Sequence, residues 1–291
     1  MKEENISDSE IRIIGSEHQQ PSTGFHWQFI LVALLLLAAG GIAAWLLWPT
    51  DQSDTFESGV FEQENTLVQP EHPIQGWLKS LDTIAACATA TRDITINDIP
   101  LRIYVPLHST PHLEVGFDVV SHHDEHILMF QAADIRADNQ KIVGAFVLRG
   151  EPLSRGLSKR GFCAIIDGHV VVGVTDNSPL FEKATEQNGD FFRQYPLVDN
   201  GQLVENELKN KSIRRALCDI GTHIAVVESQ STESLHDFAQ ALVDLGVTHA
   251  IYLVGSNAIG WCIDTAGNST AIGLWDTKPY KNINFIVWPK Q

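Results

Sequence analysis

Hydropathy divides the chain into an N-terminal anchor and a long alternating region. Residues 29–48 read FILVALLLLAAGGIAAWLLW, about 20 positions without a charge. At a rise of about 1.5 Å per residue they match the roughly 30 Å hydrocarbon core of a bilayer. Trp27 stands at one end and Trp45 and Trp48 at the other, where indole rings favour the headgroup boundary, and Pro49 closes the run. The pattern predicts a transmembrane helix over 27–49. A buried core helix usually keeps a polar stripe, which this segment lacks. The run is longer than a signal-peptide core and no A-x-A-like site follows it, so it reads as an uncleaved anchor. Lys2 and Arg12 precede the run, and the next positive residue is Lys79. That asymmetry places the N-terminus in the cytoplasm and the rest outside it, which in a bacterial cell is the periplasm.

Residues 1–26 are polar and aperiodic and read as a disordered cytoplasmic tail; residues 50–76, acidic and ending near QPEHP, read as a linker. Residues 77–291 then have the length of one domain. Alternation over 94–107 around Asn97-Asp98, and the two apolar runs of 161–174 joined by Asp167-Gly168, predict hairpins with two-residue turns. A further hairpin is expected over 213–227, turning through 219–222. Residues 113–120 and 141–148 read as strands. The period changes at 231–245, where apolar residues at 235, 238, 239, 242 and 245 form a helical stripe. Ser231 or Thr232 is the expected N-cap and Gly246 the expected stop. A strand over 248–254 and strands near Trp261 and Phe285 complete the reading. The expected fold is an α+β domain, a mixed β-sheet with few helices, preceded by one N-terminal transmembrane helix.

Charge narrows the partners. Lys+Arg number 20 against Asp+Glu 36, a net charge of -16, which argues against nucleic acid, whose phosphates need a basic footprint. It also argues against a domain lying flat on anionic lipid. Cys87, Cys163, Cys218 and Cys262 are scattered without metal-ligand spacing; they allow two disulfides, or buried free thiols. The run 121–126, SHHDEH, has ligand-type residues, but neighbours on a strand face opposite ways, so it reads as a solvated loop and no metal is assigned. The sequence leaves any cofactor unknown. The basic segment 149–160 stands out in an acidic domain and reads as an exposed loop able to receive an anion.

The strand–helix–strand–turn stretch over 214–261 carries the chemistry. Arg214-Arg215 open its first strand, and arginine suits phosphate or carboxylate. Its last strand runs into Gly255-Ser256-Asn257, a turn whose backbone can approach a ligand closely.

The order of these elements resembles the phosphodiester glycosidase domain family. Arg215-Ala216-Leu217 resembles its R-T/S-A-x-G strand, Leu245-Gly246 its helix end, and Leu253-Val254-Gly255-Ser256 its L-D-G-G turn. Residues 191–201, FFRQYPLVDNG, resemble its G-P-x-L-x-x-x-G segment, and 161–173 its early hairpin. Two motifs depart: Val254 and Ser256 replace the turn's aspartate and second glycine, and GAFVLRG occupies 144–150 where N-G-G-F-F belongs. The resemblance implies that Arg149, Arg155 and Arg215, with Gly255, Ser256 and Asn257, bind a phosphate-linked sugar. The catalytic carboxylate stays unnamed, since valine transfers no proton. An active hydrolase, a catalytically silent glycan binder and an envelope scaffold are the three readings.

Overall fold

The computed structural model describes residues 72–208, 210–275 and 280–291, all within one compact unit spanning 66–291. The tail, the transmembrane run and most of the linker lie outside the described residues. Among the described residues no helix is long and apolar enough to cross a membrane. The folded region begins slightly before Trp77, because Ile74 is already buried against helix α1 (Gln75–Leu81).

Three sheets, three short helices and one longer helix build the unit. The largest sheet runs β1 (Thr89–Ile96), β2 (Ile99–Pro106), β13 (His223–Ser229), β12 (Arg215–Ile220), β14 (His249–Leu253), β10 (Pro196–Asp199), β11 (Gln202–Leu203). The second runs β16 (Ser269–Ile272), β15 (Gly260–Ile263), β4 (His126–Gln131), β17 (Asn284–Pro289), β3 (His112–Val115). The third runs β6 (Glu151–Arg155), β5 (Ala145–Leu148), β9 (Asp190–Gln194), β7 (Gly161–Ile166), β8 (His169–Val174).

Every ladder between these strands is antiparallel, which corrects the expected mixed sheet. The reason lies in the strand–helix–strand unit. Helix α4 (Leu235–Leu245) carries the chain from β13 to β14, but β12 sits between them and pairs with both. The two strands that run the same way are never neighbours. Turn chemistry supports the antiparallel plan. Asn97-Asp98 and Asp167-Gly168 adopt positive φ (50° and 61°, 51° and 78°), so both expected two-residue turns form. Such mirror-image turns match the twist of paired strands.

Four local readings change: the stretch 141–148 is a strand only from Ala145 onward. Gly221-Thr222 alone closes β12 onto β13, with Ile220 opposite His223. Ser234, not Ser231 or Thr232, caps α4 by accepting a 3.0 Å bond from the Asp237 amide. The stretch 113–120 is only partly strand: β3 ends at Val115 and helix α2 (Asp118–Ser121) follows.

Alternation along β12 assigns the faces. Ala216, Cys218 and Ile220 point to the helical layer of α1 and α4; Leu217 points to a central core shared by all three sheets. Phe130, Trp288, Phe146, Phe192, Ile251 and Leu253 fill that core. The outer face of the second sheet is covered by α2, and that of the third by α3 (Leu180–Glu186). All four cysteines are free, and burial pushes the Cys262 thiol up to about 11.

The segment 121–126 forms short helical turns before β4. His122, Asp124 and Glu125 are exposed, but His126 is 4% exposed, with Nδ1 lacking a partner and Nε2 3.7 Å from Glu114. Glu114 also accepts a 2.8 Å bond from His112. Burial holds His126 below its ordinary 6.5, against the pull of Glu114, and the His112 bond lowers Glu114. Both depressed groups leave the unfolded chain binding more protons as pH falls. Stability is therefore expected to drop below about pH 6.5 as the unfolded His126 protonates, with Glu114 adding to the fall below about pH 4.5. Thermal melts of the full-length protein should show this slope, and His126→Gln should flatten its upper part.

Candidate functional site

Three of the four chain crossings between sheets gather at one end of the strands; the fourth, from β2 to β3 across 107–111, lies at the other. The loop 132–144 carries the chain from β4 in the second sheet to β5 in the third. Tyr195 alone joins β9 of the third sheet to β10 of the first, and Pro196 favours the extended backbone there. The turn 254–259 joins β14 of the first sheet to β15 of the second. These crossings are hydrogen-bonded to one another. The Val254 amide donates to the Gln131 carbonyl at 3.2 Å, and the Tyr252 amide to the Tyr195 carbonyl at 2.8 Å.

Two buried amides clamp the stretch leaving β4. Asn284 Oδ1 accepts from the Ala133 amide at 2.7 Å and its Nδ2 donates to the Ala133 carbonyl at 3.1 Å. Gln194 Nε2 donates to the Ala132 carbonyl at 3.4 Å. Asp134 is the next side chain, about a third exposed (32%). Its carboxylate pairs with the Lys159 ammonium, whose side chain is 4% exposed. Lys159 Nζ also donates to Gln194 Oε1 at 2.8 Å and lies 4.5 Å from the Tyr195 ring centre. Burial lowers the Lys159 pKa, opposed by Asp134, and raises that of Tyr195.

Lys159 sits at φ 73°, a left-handed conformation uncommon for a residue with a side chain. Arg193 holds it there. That buried guanidinium donates to the carbonyls of Lys159, Thr175 and Asp176 at 2.8–2.9 Å. Adjacent residues of β9 thus fix Lys159 from both faces, Arg193 by its backbone and Gln194 by its amine. A cavity of about 170 Å³ opens beside Asp134, bounded by Gln131, Ile135, Val254, Tyr280 and Asn284.

The six residues expected from sequence fall in three places. Arg215 and the Gly255-Ser256-Asn257 turn come together. Arg215 is 1% exposed, pairs with Glu228 of β13, donates to the carbonyls of Ala258 (2.7 Å) and Val254 (3.3 Å), and stacks over Phe130. Its guanidinium therefore fixes the turn from beneath. Gly255 is required by close approach, since a Cβ there would lie 2.3 Å from the Ile213 carbonyl oxygen. The Gly255 amide donates to the Tyr252 hydroxyl and the Ser256 amide to the Ile213 carbonyl. The side chains of Ser256 and Asn257 are exposed.

Arg149 and Arg155 lie apart from that turn. The expected basic loop is in part a hairpin: Arg149-Gly150 is its two-residue turn (φ 48° and 82°), and Glu151–Arg155 is strand β6. Arg149 is at the opposite end of β5, where its amide donates to Asp190 Oδ1 at 2.7 Å. Arg155 lies over the Phe181 ring in an outer groove of about 510 Å³ with Leu157 and Pro179. Only Lys159, at the segment's end, reaches the cleft.

Asp134, Gln194 and Asn284 were not singled out from sequence. A usable signal was the polar pair Arg193-Gln194 directly after Phe191-Phe192, since polar side chains in an apolar strand need partners. Among the described residues no three His, Cys, Asp or Glu side chains are placed to hold a metal ion.

Comparison with solved structures finds this fold, at a distance, in a glycosidase catalytic domain. The chain is similar to the catalytic domain of zebrafish N-acetylglucosamine-1-phosphodiester alpha-N-acetylglucosaminidase, in a form auto-inhibited by its pro-peptide. Identity is 12%, with 70% of this chain and 82% of that chain covered, at a TM-score of 0.51. A hypothetical protein from Synechocystis is also similar, at 12% identity over 69% of this chain and 61% of that one, TM-score 0.49. No family model and no curated protein matches the chain. The likeness is one of fold.

Arg215→Ala should leave Glu228 buried without a counter-charge, with only the Gln230 amide still donating to it at 3.1 Å, and destabilise the protein by about 3–5 kcal/mol. Urea unfolding should show that loss, and the apolar double replacement Arg215→Met with Glu228→Leu should recover most of it.

Proposed function

We propose that the protein is a membrane-anchored, extracytoplasmic phosphodiester-glycosidase-like protein that binds or hydrolyses a phosphate-linked sugar at the strand-end cleft. The apolar run 29–48 supports the anchor, and the Lys/Arg asymmetry around it supports a periplasmic domain. Low similarity in fold to the zebrafish catalytic domain supports the ligand class. The observation that carries the reading is that the 132–144 and 254–259 crossings border one cavity, whose single carboxylate, Asp134, is paired with the Lys159 cation beside it.

In this reading Ser256 and Asn257 offer exposed polar groups to the ligand. Arg215 acts on it through the turn it holds, and Arg155 lies in a neighbouring groove. Arg149, at the far end of its hairpin, contributes long-range positive charge. A second reading, binding of the same ligand without turnover, is favoured by Val254 at the position of the family's turn aspartate. The acidic balance argues against nucleic acid as the ligand.

Full-length protein in detergent is expected to bind an N-acetylglucosamine-1-phosphodiester in a calorimetric titration and to bind free N-acetylglucosamine far more weakly. Equal affinity for the two, or no heat from either, would count against a phosphate-linked sugar.

A further inference from the structure

We propose that Asp134 and Lys159 are the working pair of this cleft: Lys159 takes the phosphate of the substrate, and Asp134 activates the water that attacks the sugar. The inference rests on the reading of the cleft as a phosphate-linked sugar site.

The other buried charged groups among the described residues are committed elsewhere. Arg215 and Glu228 are sealed, at 1% and 9% side-chain exposure, with internal partners. Arg193 spends its donors on three carbonyls. Asp190, at the far end of β9, caps the amides of Leu113 and Arg149. The His112–Glu114–His126 cluster is at that far end too.

The Asp134–Lys159 pair differs in three ways. Its lysine is desolvated yet has one ionic partner, with a neutral amide oxygen and the face of the Tyr195 ring completing its surroundings. Its backbone is left-handed (φ 73°) in the loop between β6 and β7 rather than in a two-residue hairpin turn, and strain of that kind collects at functional sites. Its carboxylate borders an open cavity, while the amides of Asn284 and Gln194 fix the backbone behind it.

The chemistry balances with one carboxylate. Lys159 moves its charge from Asp134 to a non-bridging phosphate oxygen, which frees the carboxylate. Asp134 takes a proton from water as the water oxygen bonds to the anomeric carbon. The bond from that carbon to the phosphate oxygen breaks, and its electron pair leaves with the phosphate monoester, whose charge Lys159 compensates. A phosphate monoester departs without protonation, so no second acid is needed and Val254 is no obstacle. A retaining route needs two carboxylates about 5–5.5 Å apart. Asp134 is the sole acidic residue lining this cavity among the described residues, so the pair predicts inversion at the anomeric carbon.

The test uses full-length protein and an N-acetylglucosamine-1-phosphodiester, with turnover followed by phosphate-monoester release and the sugar product followed by NMR. Asp134→Asn is expected to lower kcat by about 10²–10⁴-fold with little change in binding. Lys159→Met should raise KM by about 10–100-fold, and Lys159→Arg should restore part of it. Thermal melts establish that each variant is folded, and should Lys159→Met unfold, Asp134→Asn and the product's configuration still decide. Wild-type turnover that survives Asp134→Asn, or product of retained configuration, would overturn the pair while leaving the ligand class intact. Binding without turnover would overturn the role of Asp134. Neither binding nor turnover by the wild type would remove the functional reading itself, and the pair with it.

Discussion

The buried pair of Arg215 and Glu228 ties the first sheet to the second and to the turn between them. Arg215 opens β12 on the face that looks into the central core, opposite Glu228 of β13 and Leu253 of β14. From there it stacks over Phe130 of the second sheet and holds two carbonyls of the turn that carries the chain into that sheet. One guanidinium thus links three strands, a sheet crossing and a second sheet, a geometry that a planar five-donor group supplies and lysine does not. Two charges withdrawn from water are costly, so their retention where the chain changes sheets fits a demand for one fixed turn conformation.

From that fixed turn the cleft follows. Because the crossings that leave β4, β9 and β14 lie at the same ends of their strands, the polar groups that terminate those strands are forced to share space. Asn284 and Gln194 satisfy the backbone that would otherwise be stranded there, and Asp134 is what remains facing outward. Arg193 and Gln194, neighbours on one strand, control Lys159 from opposite faces of the sheet. The mechanism proposed for the pair depends on this rigidity, since an ion pair that is to exchange partners must do so without its scaffold relaxing.

Local features of the fold were legible in the sequence where chemistry acts over a few residues. Asn97-Asp98 and Asp167-Gly168 announced their hairpins because few residue pairs tolerate positive φ twice in succession. The stripe of α4 and its glycine stop were equally plain. The antiparallel character of the sheets was not, because nothing in β13, α4 and β14 reveals that β12 lies between them. Arg149-Gly150 was hidden by composition: its neighbouring charges and serines suggested a loop, although the same pair satisfies a two-residue turn. For the site, the sequence marked Arg215 and the Gly255 turn, which do meet. It did not mark Asp134, whose importance comes from Lys159, 25 positions away, and from amides contributed by β9 and β17.

The place of the phosphate tests the account most directly. A crystal structure of the protein with a non-hydrolysable phosphonate analogue of an N-acetylglucosamine-1-phosphodiester should show the phosphonate oxygens within hydrogen-bond distance of Lys159 Nζ, beside the Val254–Asn257 turn, with Asp134 facing the anomeric carbon. Phosphonate bound instead at the Arg149 hairpin, or in the groove of Arg155 and Phe181, would contradict it.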